Sequence, residues 1–273
     1  MRGKNGELLC CPVCGLPLKR EGSAWICEKR HSFDVAREGY VNLLCSQRSS
    51  QKTRGDDRLM VRARREFLER GYYGLLRDEL VRLMQEKAPR IWLDAGCGEG
   101  YYTSALQGAL SASQGVGADI SKEAVRLAAK RDTDVIWVVA ACHRLPVGDA
   151  TLEALVNVFA PTAEEEFARV LKKGGWLIRV RPLPDHLWEL KQAVYGDRAQ
   201  PNPPDLPVWE GFHLKEQRAC CATTPVLAGE ELEALFCMTP YYYTSSAEER
   251  ARGASLPPMS VRLAFDIQVF ERN

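Results

Sequence analysis

The sequence predicts an α/β fold: a Rossmann-like, mostly parallel sheet preceded by a small N-terminal zinc-binding module. Three observations predict it. From Arg90 onward short apolar runs alternate with helical patterns, the signature of parallel strands joined by crossover helices. The first of those runs leads straight into a glycine turn, Gly96-Cys97-Gly98-Glu99-Gly100, and then a helix. Near the N-terminus, Cys11-x2-Cys14 and Cys27-x3-His31 offer four ligands in two short-spaced pairs.

The chain has 273 residues, room for one core of about 100–200 residues and an accessory module. Its composition, 45% hydrophobic and 27% charged, is ordinary for a globular chain, and its apolar runs fall far short of the about 18 residues that span a bilayer. The polar start, Met1 to Glu7, lacks the apolar core of a secretory signal, so a cytoplasmic location and no membrane partner are expected. In a reducing compartment closely spaced cysteines read as metal ligands rather than disulfides. Cys10, Cys45, Cys97, Cys142, Cys220, Cys221 and Cys237 are scattered and read as packed thiols. A net charge of +1 gives no global field for nucleic acid. One local basic stretch, Arg48 to Arg65, fits either an RNA-contacting patch or a solvated helix face.

Residues 9–44 are turn-rich, punctuated by Cys, Pro and Gly, and too few to bury a core of their own. Zinc is expected to replace that core, held in a closed structural site by Cys11, Cys14, Cys27 and His31. Cys10 is an alternate ligand, but its spacing to Cys14 is looser than that of Cys11. Residues 45–55 read as a polar linker, followed by helices near 57–70 and 73–87 with Gly71 between them. Strands are expected near 90–95, 114–119, 135–140, 153–158 and 174–180, and helices near 101–110, 122–131, 163–172 and 185–195. After the Pro-rich stretch Gln200 to Pro207, two late antiparallel strands are expected at 212–221 and 261–270, with a helix near 229–236.

The glycine turn predicts a cofactor. Gly96, Gly98 and Gly100 allow close backbone approach at the carboxyl end of the first strand, where open α/β sheets bind ligands. Asp94 ends that strand, and Asp119 closes the next one about 20 residues on, where a carboxylate accepts from ribose hydroxyls. Dinucleotide sites show Gly-x-Gly-x-x-Gly for the pyrophosphate, whereas here the spacing is even. This favours S-adenosylmethionine (SAM), which carries no phosphate, and a class I SAM methyltransferase sheet. Cys142 and His143, after the third strand, are candidates to line the adenine edge, although His143 also reads as a loop histidine.

Taken together, the two ligand pairs, the run Phe33 to Leu44, the turn Asp94 to Tyr102 and the segment Pro182 to Lys191 resemble the RlmA/TlrB family of ribosomal RNA methyltransferases. The likeness covers nearly the whole chain. It implies methylation of N1 of a guanine in a domain II hairpin of 23S rRNA, near the peptide exit tunnel, and a homodimer. It also implies zinc at the Cys3His set and SAM contacts at Tyr73, Gly98, Glu99 and His186. The expected organisation is then residues 1–44 as a zinc-binding RNA-recognition module, 45–88 as linker and helices, and 89–273 as the methyltransferase domain. The Pro-rich segment and Ala160 to Ala163 depart from common members, which leaves the choice of guanine open.

Such a reaction needs an extruded base, read by aromatic stacking. Tyr101, Tyr102 and Phe159 are candidates for that platform, and equally for core aromatics. N1 must lose a proton, yet the sequence offers no clear base and no catalytic residue is assigned. Lys19, Arg20, Lys29 and Arg30 would help the module grip RNA. Two alternatives stand: a small-molecule SAM methyltransferase, which has no need of a zinc module, and a non-catalytic zinc-containing RNA-binding protein, in which the cofactor turn would be damaged.

Overall fold

The computed structural model describes residues 8–44, 58–204 and 208–273. The expected linker at 45–55, with Arg48, Lys52 and Arg54 of the basic stretch, lies outside the described residues.

The N-terminal segment forms a three-stranded antiparallel sheet of β1 (Leu18–Glu21), β2 (Ala24–Cys27) and β3 (Ser32–Asp34). Glu21 pairs with Ala24, so Gly22 and Ser23 form a two-residue hairpin loop, and Gly22 supplies the positive φ of +59° that such tight turns need. The helices α1 (Arg58–Glu69) and α2 (Gly74–Lys87) follow within a residue of their expected limits.

The main sheet then builds as β5 (Ile91–Ala95), α3 (Tyr101–Ala109), β6 (Gln114–Asp119), α4 (Lys122–Arg131), β7 (Ile136–Val139), β8 (Leu152–Val158), α5 (Glu164–Val170), β9 (Leu171–Pro182) and α6 (Trp188–Tyr195). The chain closes with β10 (Phe212–Thr223), α7 (Glu230–Cys237), α8 (Pro240–Thr244), α9 (Ala247–Ala254) and β11 (Arg262–Arg272). Two of these helices, α8 and α9, have no counterpart in the sequence reading. The second lacks an apolar stripe, but its start is written in a capping box of Ser246 and Glu249.

The two late strands are antiparallel, as expected, and β11 inserts between β9 and β10. β5 pairs in parallel with β6 on one side and β8 on the other. The chain therefore runs outward from β5 through β6 to β7, then returns to β8. That reversal is the topological switch point, where a crevice opens at the carboxyl ends of β5 and β8.

Successive residues of β5 face opposite sides of the sheet. Trp92 joins a cluster with Phe67, Leu76, Leu80 and Leu83 of the two leading helices. Leu93 joins a second cluster with Val116, Leu155 and Leu177, together with Leu9, Leu18, Trp25 and Val41 of the N-terminal segment. The segment is also joined to the sheet by hydrogen bonds: β4 (Val41–Asn42) lies parallel to β7 and forms its edge. Zinc is thus one of two devices holding it, the other being a shared core, because each fully buried Leu or Val contributes about 1.5–3 kcal/mol. No helix among the described residues is long and apolar enough to cross a membrane.

Candidate functional site

Cys11, Cys14, Cys27 and His31 converge, with one ligand atom from each lying within 4.8 Å of the others. The backbone prepares this. A tight loop brings the Gly15 amide onto the Cys11 carbonyl at 2.8 Å, and Arg30, in the left-handed region at φ 65°, turns the chain so that the Cys27 amide meets the His31 carbonyl at 3.1 Å. The Sγ atoms of Cys14 and Cys27 are 3.7 Å apart, and Nδ1 of His31 lies 3.5 and 3.4 Å from the Sγ atoms of Cys11 and Cys27. A zinc tetrahedron with bonds of about 2.3 Å to sulfur and about 2.0 Å to nitrogen has edges of about 3.8 Å and about 3.5 Å. The geometry fits zinc, and with four protein ligands the site is structural. Cys10 is not part of the cluster; its amide instead binds the Pro146 carbonyl at 2.9 Å.

At the switch point the glycine turn is fixed from below. The amides of Gly96 and Cys97 bind the carbonyl of Ala118 on β6 at 2.8 and 3.1 Å. Asp119 holds the turn from the side: its carboxylate accepts from the Gly98 amide at 2.9 Å and the Ser121 amide at 2.8 Å. Gly96 and Gly98 differ in what surrounds them. A Cβ on Gly96 would lie 2.2 Å from Cβ of Ala160, whereas one on Gly98 would meet nothing nearer than a guanidinium nitrogen of Arg64 at 4.0 Å. Gly98 therefore borders open space.

Asp94 is buried beneath the turn. Its Oδ2 accepts from the Thr103 hydroxyl at 2.6 Å, while Oδ1 has no partner, and burial pushes the carboxyl up to about 7. Glu99 is also buried; one oxygen is paired with Arg131 of α4, the other has no partner. Burial raises its pKa and the Arg131 charge opposes the rise. Thr103 and Arg131 were not among the expected site residues, since neither belongs to a readable motif.

Tyr73 and His186, which only the family resemblance singles out, come together with their polar atoms 3.3 Å apart. They form one aromatic cluster with Phe159 and Phe265. Of the three platform candidates, Tyr101 and Tyr102 are buried on α3, where Tyr101 also packs against the Arg77 guanidinium. They are core aromatics. Phe159 is 43% exposed at the end of β8.

Cys142 stays near the turn, and its thiol is pushed up to about 12 by burial and by the Asp119 and Asp94 carboxylates. His143 is exposed and lines a cleft of about 660 Å³ between the N-terminal segment and the main sheet, with Pro12, Leu44 and Arg144 among its walls. Arg144 bridges that cleft to the carbonyl of Pro12 at 2.8 Å.

Comparison with known proteins agrees with this geometry. A family profile described as "RlmA, N-terminal" matches residues 9–52, and one described as "Methyltransferase domain" matches residues 93–179. The 23S rRNA (guanine(748)-N(1))-methyltransferase of Streptomyces fradiae is 37% identical over 199 residues, 71% of this chain and 70% of that protein. A Micromonospora griseorubida protein named for 23S rRNA (guanine-N(1)-)-methyl transfer is 38% identical over 214 residues, 70% of this chain and 71% of its own. Bacillus subtilis YxjB, named for the same reaction, is 36% identical over 68% of both chains. An intact zinc tetrahedron, an intact glycine turn and this likeness over most of the length lead to one assignment: the chain belongs to the RlmA/TlrB family of 23S rRNA (guanine-N1)-methyltransferases.

Proposed function

We propose that this protein methylates N1 of a guanine in a domain II hairpin of 23S rRNA. The observation that carries the reading is the joining, in one chain, of the Cys3His tetrahedron to a sheet whose switch point presents the Gly98 turn and Asp119. A small-molecule methyltransferase would need only the second.

SAM, when bound, supplies an already activated methyl on a sulfonium, so the protein's work is placement and exclusion of water. Asp119 fits the ribose hydroxyls, being held by two backbone amides beside the open side of Gly98. Cys142 and His143 flank the adenine end. Gly96, Glu99 and Asp94 are assigned to the floor, where one buried oxygen of each acid has no partner within the protein. Tyr73 and His186, cofactor contacts by the family reading, lie buried in the aromatic cluster behind Phe159.

The exposed cations Lys19, Arg20, Lys29 and Arg30 lie on the hairpin and the zinc loop, and Arg58 and Arg62 lie on α1. We assign these to the RNA phosphates, with residues 1–44 as the recognition module, 45–88 as the connection and 89–273 as the catalytic domain. Action on ribosomal RNA fits a cytoplasmic protein, and a homodimer is part of the family reading.

Methyl transfer from labelled SAM to unmodified 23S rRNA, followed by primer extension, tests the proposal, because N1-methylguanine blocks pairing. A stop at one guanine of a domain II hairpin is expected. SAM binding with no methylation of the RNA would overturn it.

A further inference from the structure

Phe159 combines three properties that a packing residue does not need. It is 43% exposed, whereas Tyr73 and Phe265 beside it are buried. It has a φ of +53°, in the left-handed region that a bulky side chain occupies only where its surroundings impose it. It also lies at the carboxyl end of β8, where Ala160, the next residue, packs against Gly96 of the cofactor turn.

The surroundings do impose it. The Phe159 amide is bound to the carbonyl of Val180 on β9 at 3.2 Å. Two residues earlier, Nδ2 of Asn157 donates to the carbonyl of Ala95 at 2.8 Å and to that of Pro161 at 3.4 Å, tying the loop to the end of β5. One side of the ring is backed by His186, with centroids 6.2 Å apart and planes inclined by 23°, and Phe265 lies 5.6 Å away. The ring is therefore a rigid apolar plate, backed by buried rings and open to solvent at the mouth of the crevice.

A flat ligand suits such a plate, and nucleobases stack on exposed aromatics with little dependence on base identity. We propose that Phe159 is the platform on which the methyl-accepting guanine stacks, with Asn157 and His186 as positioning residues that hold the ring at the crevice. The inference rests on the reading of the protein as an rRNA methyltransferase. It places the acceptor's face, not its hydrogen-bonding edge, against the protein here, so the edge is left for other groups to read.

The test compares Phe159→Leu, Phe159→Tyr and the wild type in methyl transfer to unmodified 23S rRNA, with S-adenosylhomocysteine (SAH) affinity measured by calorimetry. Expected are a fall in kcat/KM of about 10- to 100-fold for the leucine variant, near wild-type rates for the tyrosine variant, and SAH affinity unchanged in both. A leucine variant as active as the wild type overturns the platform. So does one that loses SAH affinity in step with activity, since that would make Phe159 a support of the cofactor site. A wild type inactive on 23S rRNA overturns the functional reading itself, and the platform for guanine with it.

Discussion

The hydroxyl of Tyr73 meets Nε2 of His186 at 3.3 Å, although 113 residues separate them in the chain. The other ring nitrogen, Nδ1, accepts from the backbone amide of Ala264 at 3.1 Å. That bond fixes the tautomer: Nε2 carries the proton and donates to the Tyr73 oxygen, so the tyrosine's own hydrogen is turned away from the histidine. The pair thus presents one oriented donor beside the aromatic cluster. Burial pushes His186 down to about 3, so it stays neutral and is no proton acceptor.

The depressed His186 gives a pH signature. Between its ordinary value of 6.5 and its folded value of about 3, the unfolded chain binds a proton that the folded chain does not, so stability falls as pH falls. The slope is at most about 1.4 kcal/mol per pH unit. Urea unfolding at about pH 7.5 and about pH 5 should show the wild type losing more stability than His186→Gln over that interval. Equal losses would show that another group sets the slope.

Asp94 works in the opposite sense. Its folded value, raised from 3.8 to about 7, means the native chain holds a proton that the unfolded chain releases, so stability is lost as pH rises across that window. Asp94→Asn should therefore gain on the wild type in urea midpoint between about pH 5 and about pH 8, while binding SAH more weakly. A gap that does not grow with pH would contradict the assignment.

Two glycines of one turn should fail differently. Gly96→Ala drives a methyl to 2.2 Å from the Ala160 side chain at a φ of +87°. The cost is about 2–5 kcal/mol of stability, seen in thermal melts. Gly98→Ala, at φ +55° with open space around it, should cost only about 1–2 kcal/mol yet weaken SAH binding on calorimetry. Unimpaired binding would place the cofactor elsewhere.

Arg131 bears the charge of Glu99, whose side chain is 1% exposed. Arg131→Ala leaves that carboxylate buried and unpaired, at a cost of about 3–5 kcal/mol. Adding Glu99→Gln should recover much of it in a double-mutant cycle, and independent, additive effects would rule the coupling out.

Removing zinc should reach beyond the hairpin. The Leu43 amide binds the Val139 carbonyl at 3.0 Å, and β4 covers the β7 edge. Cys14→Ser or chelation should release about one zinc per chain and speed hydrogen exchange in β4 and at the β7 edge it covers. Retained protection would mean that the shared core alone holds the segment.

Much of this was legible in the chain. Strand and helix limits follow from periodicity, which is local: β5 to β9 and α1 to α7 fall close to the stretches read for them. The zinc ligands were legible because metal coordination demands particular atoms at short spacing, and the glycine turn because three evenly spaced glycines mark a backbone that favours the left-handed region.

Illegible were the relations that depend on faces meeting. No pattern announces that Val41 and Asn42 will edge the main sheet, that Arg131 will answer Glu99, or that Tyr101 and Tyr102 will be buried while Phe159 is exposed. Tyr73 and His186 entered only through family resemblance, since a tyrosine and a histidine so far apart carry no spacing signal. The sequence alone determined which elements form and which chemistry they carry, because those follow from residue type and local repeat. Which side chains share a site, and which of them face solvent, depends on how the sheet twists, pairs and closes its two cores, and no local pattern carries that.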